Sequence, residues 1–301
     1  MSIDNCRIIN LPKFLDARGN LSFVENFAQI PFEIKRTYWL YDVPGGECRG
    51  GHAYRENEEF VIALSGAFDV SVDDGVHKKT FTLNRSYYGL YIPKGLWRKM
   101  ENFSTNSLAL EFASMPYDEN DYIRNYSEFL AFKGTLPILE ELDISSSVSS
   151  SSDIKSYNAR ERKRHNVFDC TIVELDRHHS DRKGNITVVE NGKTLPFDVK
   201  RVYYLYDVPS GESRGAHAHK DLSQLIIAAS GSFRVVLDDG QYKRSFFLNS
   251  PYQGLYVKSG MWRDLEDFSS GAVCMVLASD VYQKDDYIRD YEMFIDYRNS
   301  K

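Results

Sequence analysis

The chain has 301 residues, with 37 Lys and Arg against 43 Asp and Glu and a formal charge of −6. That mild acidity argues against a nucleic-acid binder, which needs a basic face for phosphates. No apolar run approaches the roughly 20 residues that span a bilayer, and the opening residues lack the charged-then-apolar layout of a signal peptide. A cytoplasmic, soluble protein with no membrane role is therefore expected. The length suggests two domains of about 150 residues each. Four scattered cysteines (Cys6, Cys48, Cys170, Cys274) read as reduced thiols rather than a disulfide or metal framework.

In chain order, the first strong signal is RTYWLYDV (36–43), which is aromatic, β-branched and closed by Pro44, and reads as a strand. EFVIALSGAFDVSVDD (59–74) reads the same way. Asp74-Gly75 then stands between FDVSVD and KKTFTL, a strong hairpin signal. SLALEFAS (107–114) is a further strand, and DYIRNYSEFLAFKG (121–134) has helix-like spacing. The serine tract Ser145–Asp153 reads as a flexible linker. The basic run ARERKRH (159–165) reads as its solvated face.

Beyond the linker the series returns. KRTYWLYDVPGGECRGGHAY (35–54) recurs as KRVYYLYDVPSGESRGAHAH (200–219), GLYIPKGLWRKMENFS (89–104) as GLYVKSGMWRDLEDFS (254–269), and YDENDYIRNYSEF (117–129) as YQKDDYIRDYEMF (282–294). The offset is 165 residues throughout, the mark of a duplicated domain. We place the first copy at 1–142, the linker at 143–153 and the second copy at 154–301. Many short strands with turn signals argue for an all-β fold of two tandem small jelly-roll barrels, each with a short C-terminal helix.

The chemistry gathers at Arg214-Gly215-Ala216-His217-Ala218-His219, followed by Gln224. Histidines at i and i+2 on a strand share a face and, pointing inward, can bind a metal or act as acid and base. The spacing resembles the cupin superfamily, whose metal sites use two histidines, a carboxylate and a third histidine. Here the carboxylate position holds Gln224 and the third histidine position Arg263. In the first copy His52 survives, but Tyr54, Glu59 and Arg98 fill the other places. An arginine stays protonated and cannot be a ligand, so a metal site is not expected. His77, His165, His178 and His179 have no repeat counterpart and are assigned to loops or the linker.

The strings IPFEIKRTYWLYD, RG-x-HA, DDG, GLY…W and Y-x-x-x-DYIR-x-Y together resemble the nucleotide-sugar 3,4-ketoisomerase family, over nearly all of both copies. The resemblance implies a cupin-like, metal-free isomerase without cofactor. Its substrate would be dTDP-4-keto-6-deoxyglucose, turned into a dTDP-3-keto-6-deoxyhexose for amino sugars of surface polysaccharide such as O-antigen or lipopolysaccharide. It also implies strand-exchanged dimers, so the duplication is expected to be a pseudo-dimer in one chain, free to associate further. By resemblance His217 and His219 are the acid/base pair, with His219 the preferred proton shuttle and Tyr203 beside them. Lys183, Arg201, Arg214, Gln224, Tyr256, Trp262 and Arg263 are assigned to the substrate. The first copy's counterparts are Arg18, Arg36, Tyr38, Arg49, His52, Tyr54, Glu59 and Arg98. Since tyrosine is a poor base at neutral pH, the first copy is expected to be a degenerate partner. A non-catalytic nucleotide-sugar binding module, a sugar-nucleotide 3,5-epimerase and, most remotely, a metal-dependent cupin oxygenase are the alternatives.

Overall fold

The structure is a computed structural model that describes residues 1–134 and 165–300. The linker expected at 143–153, and all but the last residue of the basic run, lie outside the described residues. Within them the chain is nearly all β, as two tandem barrels, with four antiparallel sheets and two short α-helices, Tyr126–Phe132 and Tyr291–Asn299. Among the described residues no helix is long and apolar enough to cross a membrane.

Each barrel packs a seven-stranded sheet against a five-stranded one, and each seven-stranded sheet draws on both copies. In the first, the strands run in the order Arg7–Asn10, Tyr88–Ile92, Glu59–Ser65, Leu108–Ala113 and Arg36–Tyr41. Gly184–Glu190 and Asp176–Ser180 from the second copy then complete it. Reciprocally, Gly19–Glu25 and Lys13–Asp16 of the first copy extend the sheet beyond Arg201–Tyr206. Val188 lies opposite Tyr38 in one register and Phe23 opposite Tyr203 in the other. The two N-terminal hairpins have changed places.

Glycine makes the exchange possible. Gly184 has φ +75°, and a Cβ there would stand 2.6 Å from the Asp42 carbonyl oxygen. Only a residue without a side chain fits where the hairpin crosses the end of the other copy's strand. Beside it Asn185 Nδ2 donates to Asp42 Oδ2 at 2.9 Å, and Asn20 repeats the contact on Asp207 at 3.0 Å.

Strand alternation divides the side chains between two cores. From Arg36–Tyr41, Leu40 enters the first barrel while Trp39 and Tyr41 face outward. They meet Tyr204, Tyr206, Ile227 and Met275 in a core between the two seven-stranded sheets. Trp39 Nε1 donates to the Pro251 carbonyl at 2.8 Å, and the Tyr204 hydroxyl to that of Ser86. One apolar core is therefore shared by the two copies, beside the core inside each barrel.

The Asp74-Gly75 hairpin joins Phe68–Asp73 to Lys78–Leu83, and Asp74 Oδ1 accepts from the amides of Val76 and His77. The helix expected over 121–134 starts later. Tyr122–Ile123 pairs as a strand with Tyr54 and Ala53, and the helix begins at Tyr126, capped by the Asn125 side chain. His178 and His179, assigned to loops or the linker, lie on the strand Asp176–Ser180. Their contribution to an exchanged sheet edge leaves no trace in a repeat-by-repeat reading.

Candidate active site

Each barrel opens into a cavity on the inner face of its HxH or HxY strand: about 620 Å³ in the C-terminal barrel and about 930 Å³ in the N-terminal one. Both fall in the range of small-molecule sites.

In the C-terminal barrel the histidine strand Arg214–His219 pairs with Trp262–Glu266 through a bulge between Gly215 and His217. Gly215 has φ +93° and Ala216 φ +52°. A Cβ on Gly215 would stand 2.6 Å from the Arg263 carbonyl oxygen, so glycine is required there. The bulge brings His217 to the cavity wall. His217 Nδ1 stands 3.0 Å from the Gly215 carbonyl and must carry the hydrogen, which leaves Nε2 as an unpartnered lone pair. His219 is 0% exposed, behind the wall. Its Nδ1 donates to Asp286 Oδ2 at 2.7 Å, and its ring meets that of His217 edge-on at 5.0 Å. Burial, then the Arg263 guanidinium, pushes both imidazoles well below the usual histidine range, so both are neutral bases at pH 7.

Gln224 organises the floor. Its amide donates to the Tyr203 hydroxyl at 2.9 Å and stands 3.4 Å from His219 Nε2, while its carbonyl accepts from Arg263 Nη1. Arg263 is 1% exposed and, among the described residues, bonds otherwise only to the Met261 carbonyl. Among the described residues nothing anionic bonds to it. Burial lowers its pKa, yet a guanidinium remains charged. A metal ion beside His219 would meet this cation, so the residues present do not fit one. At the mouth, Arg214 pairs with Asp16 at 3.2 Å and Arg201 with Glu25 at 3.7 Å. Buried N–H groups of both arginines have no partner among the described residues.

The N-terminal cavity differs at its floor. His52 keeps an unpartnered Nε2, and burial lowers its pKa to about 3. Tyr54, in the place of His219, donates to the Tyr122 hydroxyl at 3.1 Å. Arg98 is gripped by Glu59 at 2.8 Å and by Glu111 at 2.7 Å, where the other copy has Gln224 and Val276. One buried cation faces two buried carboxylates. Burial pushes Glu111 up to about 7 despite Arg98, while Arg98 outweighs burial and holds Glu59 below its usual value.

Of the assigned residues, Arg201, Tyr203, Arg214, His217 and Arg263 line the histidine cavity, with His219 and Gln224 directly behind. Lys183 does not join them. Strand exchange carries it to the N-terminal cavity and brings Arg18 to the histidine cavity in its place. Tyr256 packs against Phe197, and Trp262 against Tyr291 and Phe294, and neither lines either of these two cavities. Around the other cavity stand Arg36, Tyr38, Arg49, His52, Tyr54 and Arg98, with Glu59 beneath. Asp286, Tyr287 and Arg289 were missed, although the repeated DYIR string holds all three.

The family model FdtA: WxcM-like, C-terminal, matches the chain twice, over residues 4–134 and 168–299. The chain belongs to this family. A curated relative, TDP-4-oxo-6-deoxy-α-D-glucose-3,4-oxoisomerase of Aneurinibacillus thermoaerophilus, is 48% identical over 117 residues, covering 39% of this chain and 84% of the relative. Among solved structures, a 3,4-ketoisomerase from Helicobacter canadensis is 42% identical (43% of this chain, 98% of that one, TM-score 0.43). The WlaRB TDP-quinovose 3,4-ketoisomerase from Campylobacter jejuni is 45% identical (43% and 99%, TM-score 0.42). The curated relative corresponds to one copy of this FdtA-family chain.

Proposed function

We propose that this chain is a TDP-sugar 3,4-ketoisomerase that converts dTDP-4-keto-6-deoxyglucose into a dTDP-3-keto-6-deoxyhexose, with one competent site, in the C-terminal barrel. Moving the carbonyl from C4 to C3 requires removing the C3 proton, returning a proton at C4 and stabilising an enediolate between. His217 Nε2 is the free base at the cavity wall. His219, sealed from the cavity and held by Asp286, acts behind it, which reverses the order expected from sequence. Tyr203, whose oxygen accepts from Gln224, keeps its own proton to donate to a sugar oxygen. Arg263 supplies a positive charge that, among the described residues, has no carboxylate hydrogen-bonded to it.

That uncancelled charge is the observation that carries the assignment. In the N-terminal barrel the equivalent arginine is paired with Glu59 and also bonded by Glu111, so an enediolate there would meet a guanidinium whose charge is already matched. The test is proton exchange in D2O, followed by NMR on dTDP-4-keto-6-deoxyglucose, with wild type, His217→Asn and His52→Asn compared. Deuterium at C4 of a 3-keto product, lost in His217→Asn and kept in His52→Asn, supports the reading. Equal loss in both variants overturns the single-site assignment, and no conversion by wild type overturns the activity.

A further inference from the structure

Phe14 and Phe23 sit on the hairpin that the N-terminal copy inserts beside Arg201–Tyr206. Their rings are stacked, with centroids 6.1 Å apart and planes 14° from parallel. Both line the histidine cavity, and Phe14 is 61% exposed. A lone exposed phenylalanine needs no explanation. This pair, however, adjoins Arg201 and Arg214, each more than nine-tenths buried with N–H groups that have no partner. Flat apolar faces next to unpaired guanidinium donors match a ligand that joins an aromatic ring to a diphosphate. The other hairpin has no such wall: the positions 165 residues on are His179 and Val188.

We propose that Phe14 and Phe23 form the nucleobase wall of the C-terminal site, so that the one complete site takes its acid/base histidines from one copy and its base-binding hairpin from the other. The N-terminal copy lacks the second histidine but carries the aromatic hairpin. The C-terminal copy carries both histidines, and its own hairpin lacks the aromatic pair. This inference rests on the sugar-nucleotide reading above.

The experiment is calorimetric titration of the full chain with TDP and, separately, with inorganic pyrophosphate. Stacking of a base on aromatic side chains is strong enough that Phe14→Ala/Phe23→Ala should weaken TDP at least about tenfold. Pyrophosphate affinity should stay within about twofold, and KM for the keto sugar should rise while kcat holds. Phe14→Leu/Phe23→Leu, which keeps the apolar packing but not the flat faces, should shift TDP affinity in the same direction and guards against misfolding of the alanine variant. Unchanged TDP affinity in a variant of native thermal stability overturns the nucleobase wall alone. Wild type that binds neither TDP nor pyrophosphate overturns the sugar-nucleotide reading with it.

Discussion

Asp286 Oδ2 accepts from His219 Nδ1 at 2.7 Å, while its other oxygen accepts from the Asp221 amide at 2.7 Å. Its counterpart Asp121 spends both oxygens on the amides of Glu56 and Asn57. One carboxylate therefore ties a loop and fixes an imidazole tautomer, and in the other copy only the loop remains. Asp286→Asn keeps the shape but sets an amide donor against the Nδ1 hydrogen and disturbs the lone pair at Nε2. Steady-state kinetics should show kcat down about 100-fold, the low end of what acid/base machinery contributes, with KM within about twofold. A KM effect without a kcat effect would mean that Asp286 only shapes the cavity.

Arg263 can be neutralised without being touched. Val276 faces the same cavity and stands where the other copy has Glu111. Val276→Glu should recreate the carboxylate–guanidinium pair and cancel the field on a developing enediolate. Losing one preorganised charge donor costs about 10²–10³ in kcat, and turnover should fall by that order while TDP binding at the arginines persists. Retained turnover in a folded Val276→Glu protein would show that Arg263 is structural.

The two carboxylates on Arg98 are not equivalent, and stability measurements should separate them. Glu59 makes two hydrogen bonds to the guanidinium and takes one from Tyr38. Breaking a buried pair typically costs about 3–5 kcal/mol, and Glu59→Gln should approach the lower figure. Glu111 has an oxygen with no partner and is pushed up to about 7 by burial. Glu111→Gln should therefore be neutral or stabilising in urea unfolding above pH 7.

The repeat, the all-β fold, the Asp-Gly hairpin and the paired histidines were legible because each is a local pattern with a fixed period or spacing. Lys183 and Arg18 were assigned to the wrong cavities because hairpin exchange is a choice of partner between two nearly identical strands. In-copy and cross-copy pairing bury the same residue types, and Phe23 opposite Tyr203 leaves no local signature. Tyr256 and Trp262 lie on the strands Gln253–Val257 and Trp262–Glu266, but the chain is aromatic on both sheet faces, so residue type alone did not tell cavity from core. Asp286 was hidden inside a segment read as helix, where a two-residue strand at Tyr287–Ile288 turns it toward His219.

Acid should destabilise the fold earlier than its carboxylates alone would. His52, His217 and His219 are all depressed in the folded chain by burial first, His52 to about 3. Unfolded, each would titrate near about 6.5. Between those values the unfolded chain binds more protons, so stability rises with pH. The contribution is complete above about 6.5 and is lost as pH falls from there toward the folded values. For one fully depressed imidazole the loss is about 2 kcal/mol at about pH 5. Urea unfolding at pH 7.5 and pH 5 should show wild type weakening by several such steps. His52→Gln should remove one step from the difference without altering the neutral-pH activity of the other barrel. Equal pH sensitivity in His52→Gln and wild type would mean that His52 is charged in the folded chain, against its unpartnered Nε2 beside Arg98.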